Sequence, residues 1–429
     1  MGFVITNTNE LFSYRNESGV NKAVIPDGVI TLGNNSFSGT TIESVTIPDS
    51  VVKIGFNTFF DCEKLLSVTI PDSVTEIGSS AFYMCLNLKS VRLPDEIKII
   101  NSNTFGYCKK LESVNIPKGV TEIGNNAFEK CESLTSIIIP EGVTKIGNDA
   151  FRECKKLKSV TIPNSVREIG AFAFMSCHEL ESVSISSNVR KIGEAAFAYC
   201  EKLTSVEISN GVQRIDNGAF SECKNLKNIY IPNSVKKIGS GVFNGCEKLE
   251  TIELSEKNRY FSFADGILYD KSLTKLIEAV SPPEIIVIPD SVTELDEDAL
   301  SSCKYEKIII RNNELDWNYH YNINEIFDMI VNDEFVYFDG DSYFGRFLCD
   351  FFCRDYESEN FKACFKKNFA NIFNDAINTE NTVFINKIIK SKKYLTKSNI
   401  DKFIEYASLK NKSEISEILI AYKNEHFQH

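Results

Sequence analysis

Cys131-Glu132-Ser133-Leu134-Thr135-Ser136-Ile137-Ile138-Ile139-Pro140-Glu141-Gly142-Val143-Thr144-Lys145-Ile146-Gly147-Asn148-Asp149-Ala150-Phe151 is one copy of a unit that recurs along most of the chain. Cys62, Cys85, Cys108, Cys131, Cys154, Cys177, Cys200, Cys223 and Cys246 fall every 23 residues. That period lies within the range of leucine-rich solenoids. A unit this short cannot bury its own apolar face, so neighbouring coils must supply the core. In the coil from Cys62, Leu65, Val68 and Ile70 alternate with Ser67 and Thr69, which places the two sets on opposite faces of a short strand. Pro71 ends the strand by removing a ladder donor. Val74 and Ile77 form a second extended piece, and Phe82 fills the back of the coil beside small Ala81.

The position after the isoleucine reads Gly33, Gly55, Gly78, Asn101, Gly124, Gly147, Gly170, Gly193, Asp216, Gly239 and Asp296. Gly, Asn and Asp tolerate a left-handed backbone, so a positive φ is expected at this corner. The cysteine column, continued by Cys303, is expected to be a buried, reduced packing column, because free Cys buries readily. Successive coils lie about 4.8 Å apart. That distance alone also permits disulfides.

These columns resemble the BspA-type leucine-rich repeat, with the pattern Cys-x-x-Leu-x-x-Val-x-Ile-Pro-x-x-Val-x-x-Ile-Gly-x-x-Ala-Phe over roughly residues 22–310. The resemblance implies a curved solenoid with one short strand per coil on its concave side. It also implies protein binding or adhesion rather than catalysis. Many members look like secreted surface antigens, and the sequence here departs from that pattern. Met1 to Tyr14 carries no positive n-region, and no window has the apolar length of a membrane span. A cytoplasmic protein is the expectation, and the alternative is the cell surface by non-classical export. Met1-Gly2-Phe3-Val4-Ile5-Thr6 fits a loose myristoylation pattern, weakened by bulky Phe3 and the missing basic cluster; the plainer reading is a capping strand. The formal net charge of −12 argues against nucleic acid or an anionic membrane as partner.

Residues 1–21 read as an N-terminal cap and 22–310 as the solenoid. Within it, about 255–284 read as a hairpin-like insertion turning at Asp265-Gly266. Residues 311–429 lack the repeat and are expected to form an all-α domain. Its front half is crowded with aromatics, and Glu325 to Asp341 holds no Lys or Arg. From about residue 365, helix pairs suggest an ankyrin-like period of about 31 residues. There Ala376, Ile385, Ile388 and Ile389 parallel Ala407, Ile415, Ile418 and Leu419 with a one-residue slip. The plainer alternative is an irregular helical cap.

No catalytic, cofactor or metal set is expected. His178 beside Cys177 would need an exposed thiolate to act as a catalytic pair, and Cys177 belongs to the buried column. Cys349, Cys353 and Cys364 lack the fourth ligand and the spacing of a zinc site. Gly239-Ser240-Gly241 with Gly245 lacks the Lys-Ser/Thr of a phosphate loop. Lys387, Lys390, Lys392, Lys393 and Lys397 read as a solvated helix end. The outward strand columns remain. One is uniformly small, from Ser67 to Ser205. The other varies, and Arg92, Asn115, Ile138, Thr161, Glu207, Tyr230 and Glu253 are its candidate partner-binding residues. The expectation is a non-enzymatic protein–protein interaction scaffold binding a protein on its concave face. A surface adhesin or host-interaction antigen is the alternative, and an enzyme with its site in the C-terminal domain a third.

Overall fold

The computed structural model describes residues 2–15, 20–283, 285–296, 299–300, 307–310, 316–317, 321–322, 369–370, 373–374, 376–378, 380 and 382–427. Two compact units emerge, Met1–Ser272 with Leu276–Ser281 and Asp298–Cys303, and Leu273–Lys275 with Pro282–Glu297 and Lys304–His429.

The first unit is a β-solenoid. Nearly every coil contributes a strand of three or four residues on one side and a strand of two on another. In the first sheet Ser67–Thr69 pairs parallel with Ser90–Arg92, setting Val68 against Val91. In the second Lys145–Ile146 pairs parallel with Glu168–Ile169. Every register joins identical repeat positions, because only that register keeps all apolar side chains on the core face. The stack opens with an antiparallel hairpin, Gly2–Ile5 against Glu10–Arg15, whose second strand joins Thr31–Leu32.

The repeat phenylalanines are fully buried. They form a continuous ring stack from Tyr14 and Phe37 to Phe243, with centroids 4.9 to 6.2 Å apart. The backbone around each ring is bound to the next coil at alternate residues. Asn57, Phe59 and Asp61 donate their N–H groups to Ser79 O, Ala81 O and Tyr83 O. This ladder needs left-handed residues two before and two after each phenylalanine. Asn57 and Asp61 have φ 54° and 57° around Phe59, and Ala195 and Tyr199 have 47° and 59° around Phe197.

The glycine column does not hold the expected left-handed corner. None of Gly33, Gly55, Gly78, Gly124, Gly147, Gly170, Gly193 and Gly239 has a positive φ. Close stacking is the cause. A Cβ on Gly78 would lie 2.6 Å from Gly55 C, and one on Gly193 2.5 Å from Gly170 C. Where Asn101 replaces glycine, its Nδ2 donates to Ile77 O at 2.6 Å, the role the backbone N–H of Gly124 plays toward Ile100 O. The two-residue sheet is interrupted at that coil, between Glu76–Ile77 and Ile99–Ile100.

Cys62 through Cys246 are free and buried, and each Sγ donates to a phenylalanine carbonyl of the preceding coil. Cys154 Sγ lies 3.2 Å from Phe128 O. That carbonyl also accepts the N–H of Cys131. The column is therefore more than small and apolar: it serves the second lone pair of each buried carbonyl. Burial pushes the Cys62 thiol up to about 11, and burial raises Cys131 and Cys154 further. An unfolded chain would ionise these thiols near their ordinary value of 9.0. Their contribution to stability is thus complete below that pH and is lost as pH rises toward and through the raised values. Iodoacetamide at pH 8 is expected to leave Cys131 and Cys154 unlabelled in the folded protein and to label both in denaturant. Rapid labelling of the folded protein, or a mass showing disulfides, would contradict the packing column.

The regular stack ends at Phe243. In earlier coils the phenylalanine N–H binds the next coil, as Phe220 N–H binds Val242 O. For Phe243 the carboxylate of Glu278, only 1 % exposed, takes that place at 2.9 and 3.1 Å. Glu278 lies on Lys275–Ala279, which pairs with Ile267–Asp270. That strand in turn forms a hairpin with Phe261–Ala264. Asp265 and Gly266, with φ 49° and 70°, make its turn, as the Asp-Gly pair requires.

In the second unit Ile285–Ile288 pairs parallel with Lys307–Ile310, and Glu294–Leu295 with Asp316–Trp317. Asp316–Trp317 then turns back on Tyr321–Asn322, so the chain beyond residue 310 opens with strands rather than helix. Among the described residues three complete helices follow: α1 Thr382–Ser391, α2 Ile400–Leu409 and α3 Ser413–Phe427. Glu380 and Asn411, at φ 54° and 57°, end the helical turns before α1 and α3. Buried Ala376, Phe384, Ile385 and Ile388 correspond to buried Ala407, Ile415, Ser416 and Leu419. These buried positions match at an offset of 31 residues rather than with the expected slip, a spacing that does not make the segment ankyrin-like. Pairing Ile385 with Ile415 matched residue types, whereas Ser416 occupies the equivalent buried position. Cys303, Cys349, Cys353, Cys364, the acidic run from Glu325 to Asp341, Tyr319 and the aromatics from Phe327 to Phe352 lie outside the described residues.

Candidate functional site

Strand alternation positions the candidate surface. Val91, Ile137, Val206 and Ile229 are buried, and the next residues, Arg92, Ile138, Glu207 and Tyr230, are exposed. Asn115, Thr161 and Glu253 are exposed as well. Registry places Arg92 opposite Thr69 and Asn115, Thr161 and Glu207 on either side of Ser184, and Tyr230 opposite Glu253. The sheet falls into three pieces, of five, three and two strands. The Ser136–Ile139 segment carrying Ile138 belongs to none of them.

These residues differ in how free they are. Arg92 is held by Asp72, Nη1 to Oδ1 at 2.7 Å. Glu207 accepts a hydrogen bond from Ser184 Oγ at 3.0 Å. The Asn115 amide brackets Leu93, accepting its N–H at 2.9 Å and donating to its carbonyl at 3.3 Å. Asn115 thus binds coil to coil as well as facing solvent. Ile138 and Tyr230 are the large apolar groups left outward, 84 % and 46 % exposed. Sequence reasoning missed Val24, which is 56 % exposed and heads the same column opposite Thr46. Its alternation with buried Ala23 and Ile25 was the available signal.

The Cys177–His178 pair and the Gly239–Gly245 loop, both among the described residues, find no support in geometry. Cys177 is fully buried, its Sγ bonded to Phe151 O at 3.3 Å, and burial raises its pKa. His178 Nδ1 is shielded without a hydrogen-bond partner. Gly241 and Gly245, with φ 60° and 73°, supply the two left-handed positions around Phe243. Among the described residues no group of acidic, His and Cys side chains is arranged to hold a metal ion, and no helix is long and apolar enough to cross a membrane.

No curated protein matches the sequence. Among solved structures, a leucine-rich repeat protein from Bacteroides ovatus is 28% identical, over 64% of this chain and 80% of its own, with a TM-score of 0.48. A leucine rich cell surface protein from Faecalibacterium prausnitzii is also 28% identical, over 59% and 92%, with a TM-score of 0.31. The pneumococcal vaccine antigen PcpA is 22% identical, over 54% and 57%, with a TM-score of 0.37. The BspA type leucine rich repeat region matches in 6 copies, over residues 30–158, 144–274 and 280–346. The repeat columns, their buried ladders and this match together make the chain a member of the BspA-type leucine-rich repeat family.

Proposed function

We propose that the chain is a non-enzymatic scaffold that binds a protein partner on the face of its longer strands, with Ile138 and Tyr230 as anchors. The observation that carries this reading is the 84 % exposure of Ile138 beside fully committed core neighbours. A large aliphatic group on a face of Ser and Thr gains from being covered. Tyr230 adds an aromatic group of the kind that dominates interface energetics. Arg92, Glu207 and Glu253 would form the polar rim. In this reading the thiols are structural, since burial and raised pKa values deny them a nucleophilic role. We place the protein in the cytoplasm as part of the same proposal; protease treatment of intact cells that removes it would assign it to the surface instead.

A partner recovered by pull-down with the full chain provides the assay. Tyr230→Ala is expected to weaken its binding by at least about 1 kcal/mol and to leave the melting temperature nearly unchanged. Lys156→Ala, in the exposed turn after Cys154, is expected to do neither. Equal losses from both variants would remove the strand face as the binding surface.

A further inference from the structure

The two-residue sheet carries a second feature on a different face. Thr121, Thr144, Arg167, Arg190, Gln213 and Lys236 follow one another coil by coil. Each donates its N–H to the residue before it, at 2.8 to 3.0 Å from Thr144 to Lys236. The equivalent positions nearer the N-terminus are Ile30, Val52, Thr75 and Lys98, linked in the same way at Val52 and Thr75. Cations therefore collect at the C-terminal end of the column, where Arg167, Arg190 and Lys236 are all exposed. Lys237, exposed beside Lys236, adds a fourth.

Nearby acids do not neutralise them. Glu168 and Asp216 are taken by Lys191, at 3.2 and 3.4 Å, and Asp216 also by Arg214. Among the described residues Arg167, Arg190, Lys236 and Lys237 have no carboxylate within ion-pair distance. The flanking turns change in step. The residue after the Pro or Ser that follows the strand is Asp27, Asp49, Asp72 and Asp95 in the early coils, Lys118 and Glu141 in the next two, and Asn164, Ser187, Asn210 and Asn233 along the stripe. Arg190 Nη1 reaches the next turn, 3.0 Å from Gly211 O, so an acid in these turns would lie within reach of a guanidinium. The stripe leaves its cations open in a chain of net charge −12.

We infer that this stripe is a docking site for an acidic helical segment of a protein. Arg167 to Lys236 spans three coil rises, about 14 Å, which about ten residues of helix would cover. Carboxylates at i, i+3 and i+4 on a helix recur about 5–6 Å apart, close to the coil rise. On an extended strand same-face residues recur at about 6.6 Å, a poorer match. The two arginines offer planar forks suited to carboxylates. The site uses a different sheet from the one proposed above and stands or falls separately from it.

The test uses the full chain and a fluorescently labelled alanine-based helical peptide with glutamates at i, i+4. Binding by anisotropy is expected to weaken with added salt. It is expected to fall about tenfold in the Arg167→Ala/Arg190→Ala/Lys236→Ala variant. The control removes three exposed lysines elsewhere, Lys64→Ala/Lys89→Ala/Lys156→Ala, and is expected to stay within twofold. Far-UV circular dichroism and melting temperature establish that both variants fold. No binding of the peptide, or equal loss in both variants, would overturn the inference. So would tighter stripe-dependent binding of a heparin fragment or a single-stranded oligonucleotide of equal charge.

Discussion

Phe151→Ala is expected to lower stability by about 3–5 kcal/mol, the cost of deleting a large ring from a site that cannot collapse. Phe151 is fully buried, with its ring centroid 5.2 Å from Phe128 and 5.1 Å from Phe174 in near-parallel stacking. Its loss leaves both neighbours facing a void. The backbone ladder holds the coils at fixed spacing: Phe128 N–H binds Ala150 O and Phe151 N–H binds Ala173 O, at 2.8 and 2.7 Å. The rings therefore cannot close up without breaking those bonds. Because a solenoid coil touches only its neighbours, the damage should begin locally. Hydrogen exchange should quicken first in the coils around residues 128–174, before the N-terminal hairpin or the Phe243 end. A urea midpoint equal to the parent's, or uniform loss of protection along the stack, would contradict this account.

What was legible in the sequence was whatever repeats at one position for one reason. The buried Val, Ile, Leu and Phe columns follow from period and alternation, and so does the outward direction of Arg92, Ile138 and Tyr230. Asp265-Gly266 was legible because few other pairs make that turn. The glycine column misled because Gly, with Asn and Asp, fits two causes. One is a left-handed φ and the other a close approach, and only the stacked neighbour distinguishes them. The true left-handed positions were hidden for the opposite reason. Met84, Tyr107, Phe172 and Tyr199 hold φ near 60°, although bulky residues avoid that region. The inter-coil hydrogen bonds over-determine the backbone there, so local preference leaves little trace in the sequence. Glu278 was illegible because its role is to replace a coil that is missing, and it lies 35 residues from the Phe243 N–H it binds. In the candidate site the outward direction of each residue was readable. Its commitment to a neighbour was not: Asp72 lies in the turn of the preceding coil from Arg92, and Leu93 is bracketed by Asn115 from the next.

The glycine column yields a test in which two causes predict opposite outcomes. Gly193→Ala is expected to destabilise by about 1–3 kcal/mol, the range for forcing atoms into a packed interior. The added Cβ would lie 2.5 Å from Gly170 C and 2.6 Å from Ala171 N and Gly170 O. These are backbone atoms held beside the ladder bond from Gly193 N–H to Ile169 O at 2.9 Å. Gly193→Asn should fare no better, since it brings the same Cβ. If a left-handed backbone were the reason for glycine, Asn would be tolerated there far better than Ala. Two residues along, Ala195 has φ 47°. Ala195→Gly is expected to raise stability by roughly 1 kcal/mol, because relief of the Cβ strain outweighs the added flexibility of the unfolded chain. Opposite signs at positions 193 and 195, read from denaturant midpoints at unchanged slope, would place the steric demand on coil spacing rather than backbone conformation. A tolerated Gly193→Asn beside a damaging Gly193→Ala would restore the left-handed corner and remove the close-approach account.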